Sequence, residues 1–148
     1  VQNADIVTTC TSDKKIATIL SDNMVGLGMH INAIGGDAEG KTELQPDILT
    51  RGPVFVELEE QTRVEGDIQL MPDDFPVTEI WEIFTGQSAG RQSDQDITIF
   101  DCVGFAMSDY AFLRYMYEQT EGTDYYEEIE VIGDLDDQRN LYSILKKC

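Results

Sequence analysis

The apolar positions of this chain fall into short, separate runs. Four of them, "ADIVTT" (4–9), "MHINAI" (29–34), "PVFVEL" (53–58) and "ITIFDCV" (97–103), carry β-branched residues and predict strands. None alternates cleanly between apolar and polar, so the pattern predicts strands buried on both faces, as in a parallel sheet. Helical spacing fills the gaps. "KTELQPDILTR" (41–51) predicts at most two turns, because Pro46 limits them. "EEQTRVEGDIQLM" (59–71) predicts a helix after the third strand. "VTEIWEIFTG" (77–86) places Val77, Ile80, Trp81 and Phe84 on a helical face and stops at Gly86. "FAMSDYAFLRYMYEQT" (105–120) is the strongest helical segment. Strands alternating with helices predict a layered α/β/α fold with a mainly parallel sheet. The four strands are expected as neighbours in sequence order. The last segment, 121–148, offers a short strand near Ile129–Ile132, an acidic turn and a terminal helix.

Composition narrows the partners. With 148 residues and 41% apolar content, the chain can bury one real core. A net charge of −19 repels phosphate backbones and anionic membranes, so neither nucleic acid nor membrane is an expected partner. Cys10, Cys102 and Cys148 are odd in number and far apart, which fits no disulfide framework or zinc site and points to a reducing, cytoplasmic setting. No metal-ligand cluster is visible. The chain opens on "VQNADIVTT", with no methionine and almost no lead-in to its first strand, and is therefore expected to be a piece of a longer protein.

One stretch carries candidate chemistry. In "NAIGGDAEGKTEL" (32–44), residues 35–42 read G-x-x-x-x-G-K-T, the pattern of a phosphate-cradling loop. Asp37 and Glu39 would oppose a triphosphate there, and Pro46 restricts the helix that should follow. Gly26 and Gly28 make no dinucleotide fingerprint, which would need glycine at Ile31. Ligands of parallel sheets bind beyond the carboxyl ends of the strands. Those ends hold Thr8, Thr9 and Thr11, then Gly35, Gly36 and Asp37, then Cys102, Val103 and Gly104. Asp37, with Lys41 nearby, is either an acid/base or a turn and helix-cap residue.

The segments "ADIVTTCTSDKKIATIL", "GMHINAIGGDAEGKTEL", "QTRVEGDIQ" and "GRQSDQDITIFDCVGFAMSDY" together resemble the ornithine cyclodeaminase/mu-crystallin family. The resemblance implies that residues 1–120 are the C-terminal part of an NAD-binding Rossmann domain. It implies that 121–148 is a tail packing on an N-terminal substrate and dimerisation domain. By position it implies cofactor contacts from Thr11, Lys41 and Cys102 and from the backbone of Asn32, Ala33, Ile34 and Gly35. Cys102 stands where the family usually has serine. Asp37 is the implied acid/base and substrate contact, Val103 a further substrate contact. The implied reaction converts L-ornithine, or a related basic amino acid, to L-proline and ammonia by internal hydride transfer on NAD. A ketimine reductase, an amino-acid dehydrogenase, a lysine cyclodeaminase or a non-catalytic mu-crystallin-like binding protein are the alternatives. A homodimer is expected, and this piece by itself is expected to associate through residues 4–9 or the tail 121–148, unless the tail folds over the open edge of the sheet instead.

Other residues read as structural. His30 is expected to be hydrogen-bonded in a buried strand, Cys10 to fill a small core space, and Trp81 to pack its helix on the sheet. Arg63, Glu65 and Arg91 are expected in ion pairs, and Asp101 to order a strand end.

Overall fold

The computed structural model describes residues 1, 3–11 and 16–128. The expected strand and helix at 129–148 lie outside the described residues. The chain forms two compact units, residues 1–106 and 107–148.

The first unit is an α/β fold around a five-stranded, all-parallel sheet, as the alternation of strands and helices predicts. Its strands are β1 (Ile6–Thr9), β2 (His30–Ala33), β3 (Val54–Val56), β4 (Thr78–Glu79) and β5 (Thr98–Asp101). The sheet order is β1-β2-β5-β3-β4. Two expectations are corrected by this. The strand at 97–103 is not the outer neighbour of 53–58; it enters between β2 and β3. A fifth strand, too short to show a period, forms where a helix alone was expected.

Two glycines explain the insertion. A Cβ on Gly28 would lie 2.4 Å from the Asp94 carbonyl oxygen, and one on Gly52 would lie 1.9 Å from that of Ile97. The lead-in to β5 therefore threads between backbone that bears no side chains, just ahead of β2 and β3. Gly28 N–H donates to Gln95 O at 3.1 Å, and Ile99 N–H donates to Pro53 O at 3.1 Å, which fixes the register on both sides.

Register aligns the side chains in rows across the sheet. Val7, Ile31, Ile99 and Val54 form one row, and Thr9, Ala33, Asp101 and Val56 another. All eight are buried, under Leu20, Val25, Leu44, Ile48, Leu49 and Ile68. The rows between them behave differently. Ile6 is 64% exposed, Thr8 is exposed, and His30 and Asn32 are half-buried. Burial on both faces holds for β3 but not for β1 and β2, which alternate. Period-2 burial had been masked in the sequence because the open face of β1 carries Ile6 and Thr8, both good strand formers.

The helices are shorter than their patterns predict. The segment 41–51 is helical only as a 3-10 turn at Pro46–Thr50, with Pro46 at its start. Helix α1 (Glu59–Glu65) ends at Gly66, and a separate 3-10 turn follows at Asp67–Leu70. A Cβ on Gly66 would meet Thr62 Cγ2 at 2.4 Å and Asp101 Oδ2 at 2.6 Å, so packing against β5 breaks the helix there. Helix α2 (Ile80–Phe84) starts with a reciprocal capping box between Glu79 and Glu82, and Gly86 follows at φ +73°. Trp81 is 46% exposed and donates from Nε1 to Glu79 Oε2, so it does not anchor α2 in the core.

In the second unit, helix α3 (Ala106–Thr120) forms where predicted. Arg114 pairs with Glu118 one turn on, and Tyr117 meets Tyr126 edge-on at 5.7 Å between ring centroids.

Gly52→Ala is expected to cost about 2–3 kcal/mol, since the clash is with backbone that cannot swing away. Urea unfolding of the variant beside the parent checks it; a change under about 0.5 kcal/mol, the scatter of ordinary surface substitutions, would show that β3 does not need that close approach.

Candidate functional site

Because every strand is parallel, all carboxyl ends emerge at one edge of the sheet. The ladder continues past the strands there: Ile34 N–H donates to Thr9 O at 3.1 Å, and Cys102 N–H to Ala33 O at 2.9 Å. The segments after β1, β2 and β5 are thereby tied together.

The loop after β2 holds Gly35, Gly36 and Asp37. Both glycines are buried. A Cβ on Gly35 would lie 1.9 Å from Glu43 Oε2, and one on Gly36 2.8 Å from Asp67 Oδ2. The glycine pair is thus required by carboxylates inside this chain. The turn then closes over 38–41, where Lys41 N–H donates to Ala38 O at 3.1 Å and Gly40 sits at φ +75°. No α-helix starts behind Lys41, where only the 3-10 turn at Pro46–Thr50 follows, so this is not a phosphate-cradling loop. Asp37 caps no helix either. Its Oδ1 accepts from Lys41 Nζ at 2.6 Å, with the lysine side chain 13% and the aspartate side chain 51% exposed. The loop therefore presents a carboxylate to solvent and tethers it to a largely covered ammonium.

Beneath the loop lie three buried acids, Glu43, Asp67 and Asp101. Asp67 Oδ1 accepts from the N–H groups of Glu43 at 2.8 Å and Leu44 at 2.7 Å. Asp101 Oδ2 accepts from Ile68 N–H at 2.9 Å. Glu43 Oε1 accepts a hydrogen bond from the Thr11 hydroxyl. Burial pushes the Asp101 carboxyl up to about 7, with the Asp67 charge adding to it. Burial also raises Asp67, against the pull of its two N–H donors. Asp67 Oδ2 and Asp101 Oδ1 have no hydrogen-bond partner among the described residues.

The other expected site residues divide. Thr11 reaches the strand ends, with its hydroxyl engaged by Glu43. Ala33 is buried and Ile34 is 40% exposed at the same edge. Cys102 and Val103 are half-buried beyond β5. Burial, then the Glu57 carboxylate that accepts its hydrogen bond, raises the Cys102 thiol to about 11. Asn32 points to the open face of the sheet instead. There a directed chain of hydrogen bonds runs from Arg91 to Thr98 (3.0 Å), His30 (2.8 Å), Asn32 (3.1 Å) and Thr8 (3.3 Å). His30 is hydrogen-bonded as expected, though only half-buried. Arg91 serves this chain and Gly28 O, and forms no ion pair among the described residues. Arg63 does form one, with Glu59 at 2.7 Å, whereas Glu65 accepts from Gln61. Cys10 is exposed, not a core filler. Reading the sequence missed Glu43, Asp67 and Gln69. The signal for the first two was polar residues next to fully buried apolar ones, Leu44 and Ile68.

An all-parallel sheet with loops gathered at the strand carboxyl ends defines a Rossmann-like α/β domain. The chain belongs to the ornithine cyclodeaminase/mu-crystallin family, whose model matches residues 1–124. It is 54% identical over 145 residues to the ornithine cyclodeaminase of Brucella abortus biovar 1 (strain 9-941), covering 98% of this chain and 40% of that one. Among solved structures, an archaeal alanine dehydrogenase dimer with bound NAD superposes with a TM-score of 0.73 at 33% identity, over 86% of this chain and 41% of that one. A lysine cyclodeaminase, described for its recognition of L-lysine, L-ornithine and L-2,4-diaminobutyric acid, gives 0.74 at 29% identity, over 94% and 41%. The chain spans about 40% of the length of the curated relatives it matches.

The raised Asp101 carboxyl makes a signed prediction. Its folded value of about 7 exceeds the ordinary 3.8, so its contribution to stability is whole below pH 4 and is lost as pH rises through 7. Asp101→Asn keeps an acceptor for Ile68 N–H and should unfold like the parent at pH 4. By pH 8 it should be the more stable by on the order of a few kcal/mol. Urea unfolding at both pH values checks the crossover; parallel curves for the two proteins would place the Asp101 carboxyl in its ordinary range.

Proposed function

We propose that this chain is the catalytic-loop half of an NAD-dependent ornithine cyclodeaminase, acting with an upstream substrate domain to convert L-ornithine to L-proline and ammonia. The observation that carries this reading is the Asp37–Lys41 pair, held on a glycine loop at the carboxyl end of β2. A half-exposed carboxylate there can take a proton from a substrate amine and return one to a departing amine. Lys41, covered and in contact, fixes the carboxylate's orientation. The acidic surface, at −19 overall, favours approach of a cationic amino acid.

The residues present fit part of an NAD site. Ile34 and Val103 offer apolar surface at the strand ends, and the buried glycine pair lets the loop lie low beside it. Thr11, Ala33, Gly35, Lys41 and Cys102 would hold the nicotinamide side of the cofactor. Asn32 would contribute through its backbone, because its side chain is committed to the opposite face. When bound, NAD supplies the hydride acceptor and donor that such a reaction needs. Val103 would line the substrate pocket beside Asp37.

The remaining parts of the proposal concern assembly. Residues 121–148 would pack on the upstream domain. The complete protein would be a cytoplasmic homodimer, and this chain by itself would associate through the tail or through residues 4–9, where β1 pairs on one side only among the described residues and carries the exposed Ile6. No helix among the described residues is long and apolar enough to cross a membrane.

In the complete protein, Asp37→Asn should lower kcat for proline formation from ornithine by roughly 10²–10⁴-fold, the range of a lost general acid/base. NAD binding, followed by fluorescence, should change little. Near-normal turnover would return Asp37 to a turn residue. Lysine or an imino acid outperforming ornithine would move the assignment to a neighbouring activity of the family.

A further inference from the structure

The turn that carries Asp37 and Lys41 is held only in part by its own contacts, the Lys41–Asp37 ion pair and a bridge between Ala38 and Lys41. Between them the chain makes one backbone bond, Lys41 N–H to Ala38 O, and depends on Gly40 in the left-handed region. The rest of its backbone is held from outside by one side chain. Gln69 Oε1 accepts from Gly40 N–H at 2.6 Å. Gln69 Nε2 lies 3.1 Å from Lys41 O, 3.4 Å from Ala38 O and 2.7 Å from Gly66 O. An N–H group on one side and three carbonyls on the other admit only one orientation of the amide. Gln69 is itself fixed, because it lies in the 3-10 turn Asp67–Leu70 forced by Gly66 against β5. Two residues earlier, Asp67 grips the exit of the same loop through the Glu43 and Leu44 N–H groups.

We propose that Gln69 is a positioning residue for Asp37: its amide sets the 38–41 turn and thereby the placement of the Asp37–Lys41 pair. The inference rests on the acid/base role proposed above for Asp37. Gln69 does not touch Asp37, so its effect must pass through the turn. Misplacing a reacting group by about 1 Å costs on the order of 10²-fold in rate, whereas binding that relies on other contacts is spared. Glutamate at 69 would keep the acceptor for Gly40 N–H but face the carbonyls of Ala38, Lys41 and Gly66 with oxygen. Methionine would keep the shape and lose every bond.

The test uses the complete enzyme and four proteins beside the parent: Gln69→Met, Gln69→Glu, Asp37→Asn and the double variant Asp37→Asn/Gln69→Met. Gln69→Met should lower kcat about 10–100-fold with KM for ornithine within about threefold. Gln69→Glu should lower kcat as well, since it retains one of the four contacts. The double variant should be no slower than Asp37→Asn alone, because a misplaced group that is already absent cannot be misplaced further. Independently of turnover, the Gly40 amide should exchange its hydrogen at least about tenfold faster in Gln69→Met, while core amides such as Ile31 and Ile99 keep their protection. An impaired Asp37→Asn beside a Gln69→Met enzyme within twofold of the parent would overturn the positioning role and leave the Asp37 reading standing. So would losses that multiply in the double variant. A near-normal Asp37→Asn with faster Gly40 exchange in Gln69→Met would overturn the acid/base reading instead, and with it the catalytic purpose of the turn. If neither Gln69 variant folds, Gln69 is a folding residue and the proposal fails.

Discussion

The end of the central strand places a carboxylate, Asp101, where water cannot reach, and much of the site is arranged around it. Asp101 sits between Ala33 and Val56 in register and accepts the Ile68 N–H. A second buried carboxylate, Asp67, raises it further. Burying carboxylates is costly unless N–H groups compensate. Three backbone N–H groups do so here, from Glu43, Leu44 and Ile68. Meeting those donors forces the chain geometry: Gly66 must lack a side chain, α1 must stop, and the loop after β2 must descend close enough for Gly36 to touch Asp67. The Asp37–Lys41 pair, its carboxylate exposed and its ammonium covered, is the outer edge of that buried arrangement.

The two faces of the sheet solve the same problem differently. On the core face, apolar rows are interrupted only at the strand ends by Thr9 and Asp101. On the other face, polar side chains of β1, β2 and β5 satisfy one another in a line from Arg91 to Thr8. The donors run one way along it. Arg91 donates to Thr98, and Asn32 donates to Thr8, which fits an imidazole with its hydrogen on Nε2 toward the Asn32 carbonyl oxygen. Core and open faces alternate along β2, and this is why the Asn32 side chain points away from the loop after β2 although it is only three residues from Gly35.

Four strands and a parallel α/β sheet were determined by the sequence itself, because β-branched runs and helical spacing are local properties of the chain. The family was legible for the same reason: its motifs are contiguous. The strand order, the break at Gly66 and the exposed Trp81 were decided only by tertiary structure. Each depends on which segments meet: β5 slides between Gly28 and Gly52, and Gly66 yields to Asp101, contacts between residues more than 30 positions apart. The support of the loop was equally hidden. Glu43, Asp67 and Gln69 are ordinary polar residues in sequence, and only the fold brings their acceptors and donors to the unpaired backbone that needs them.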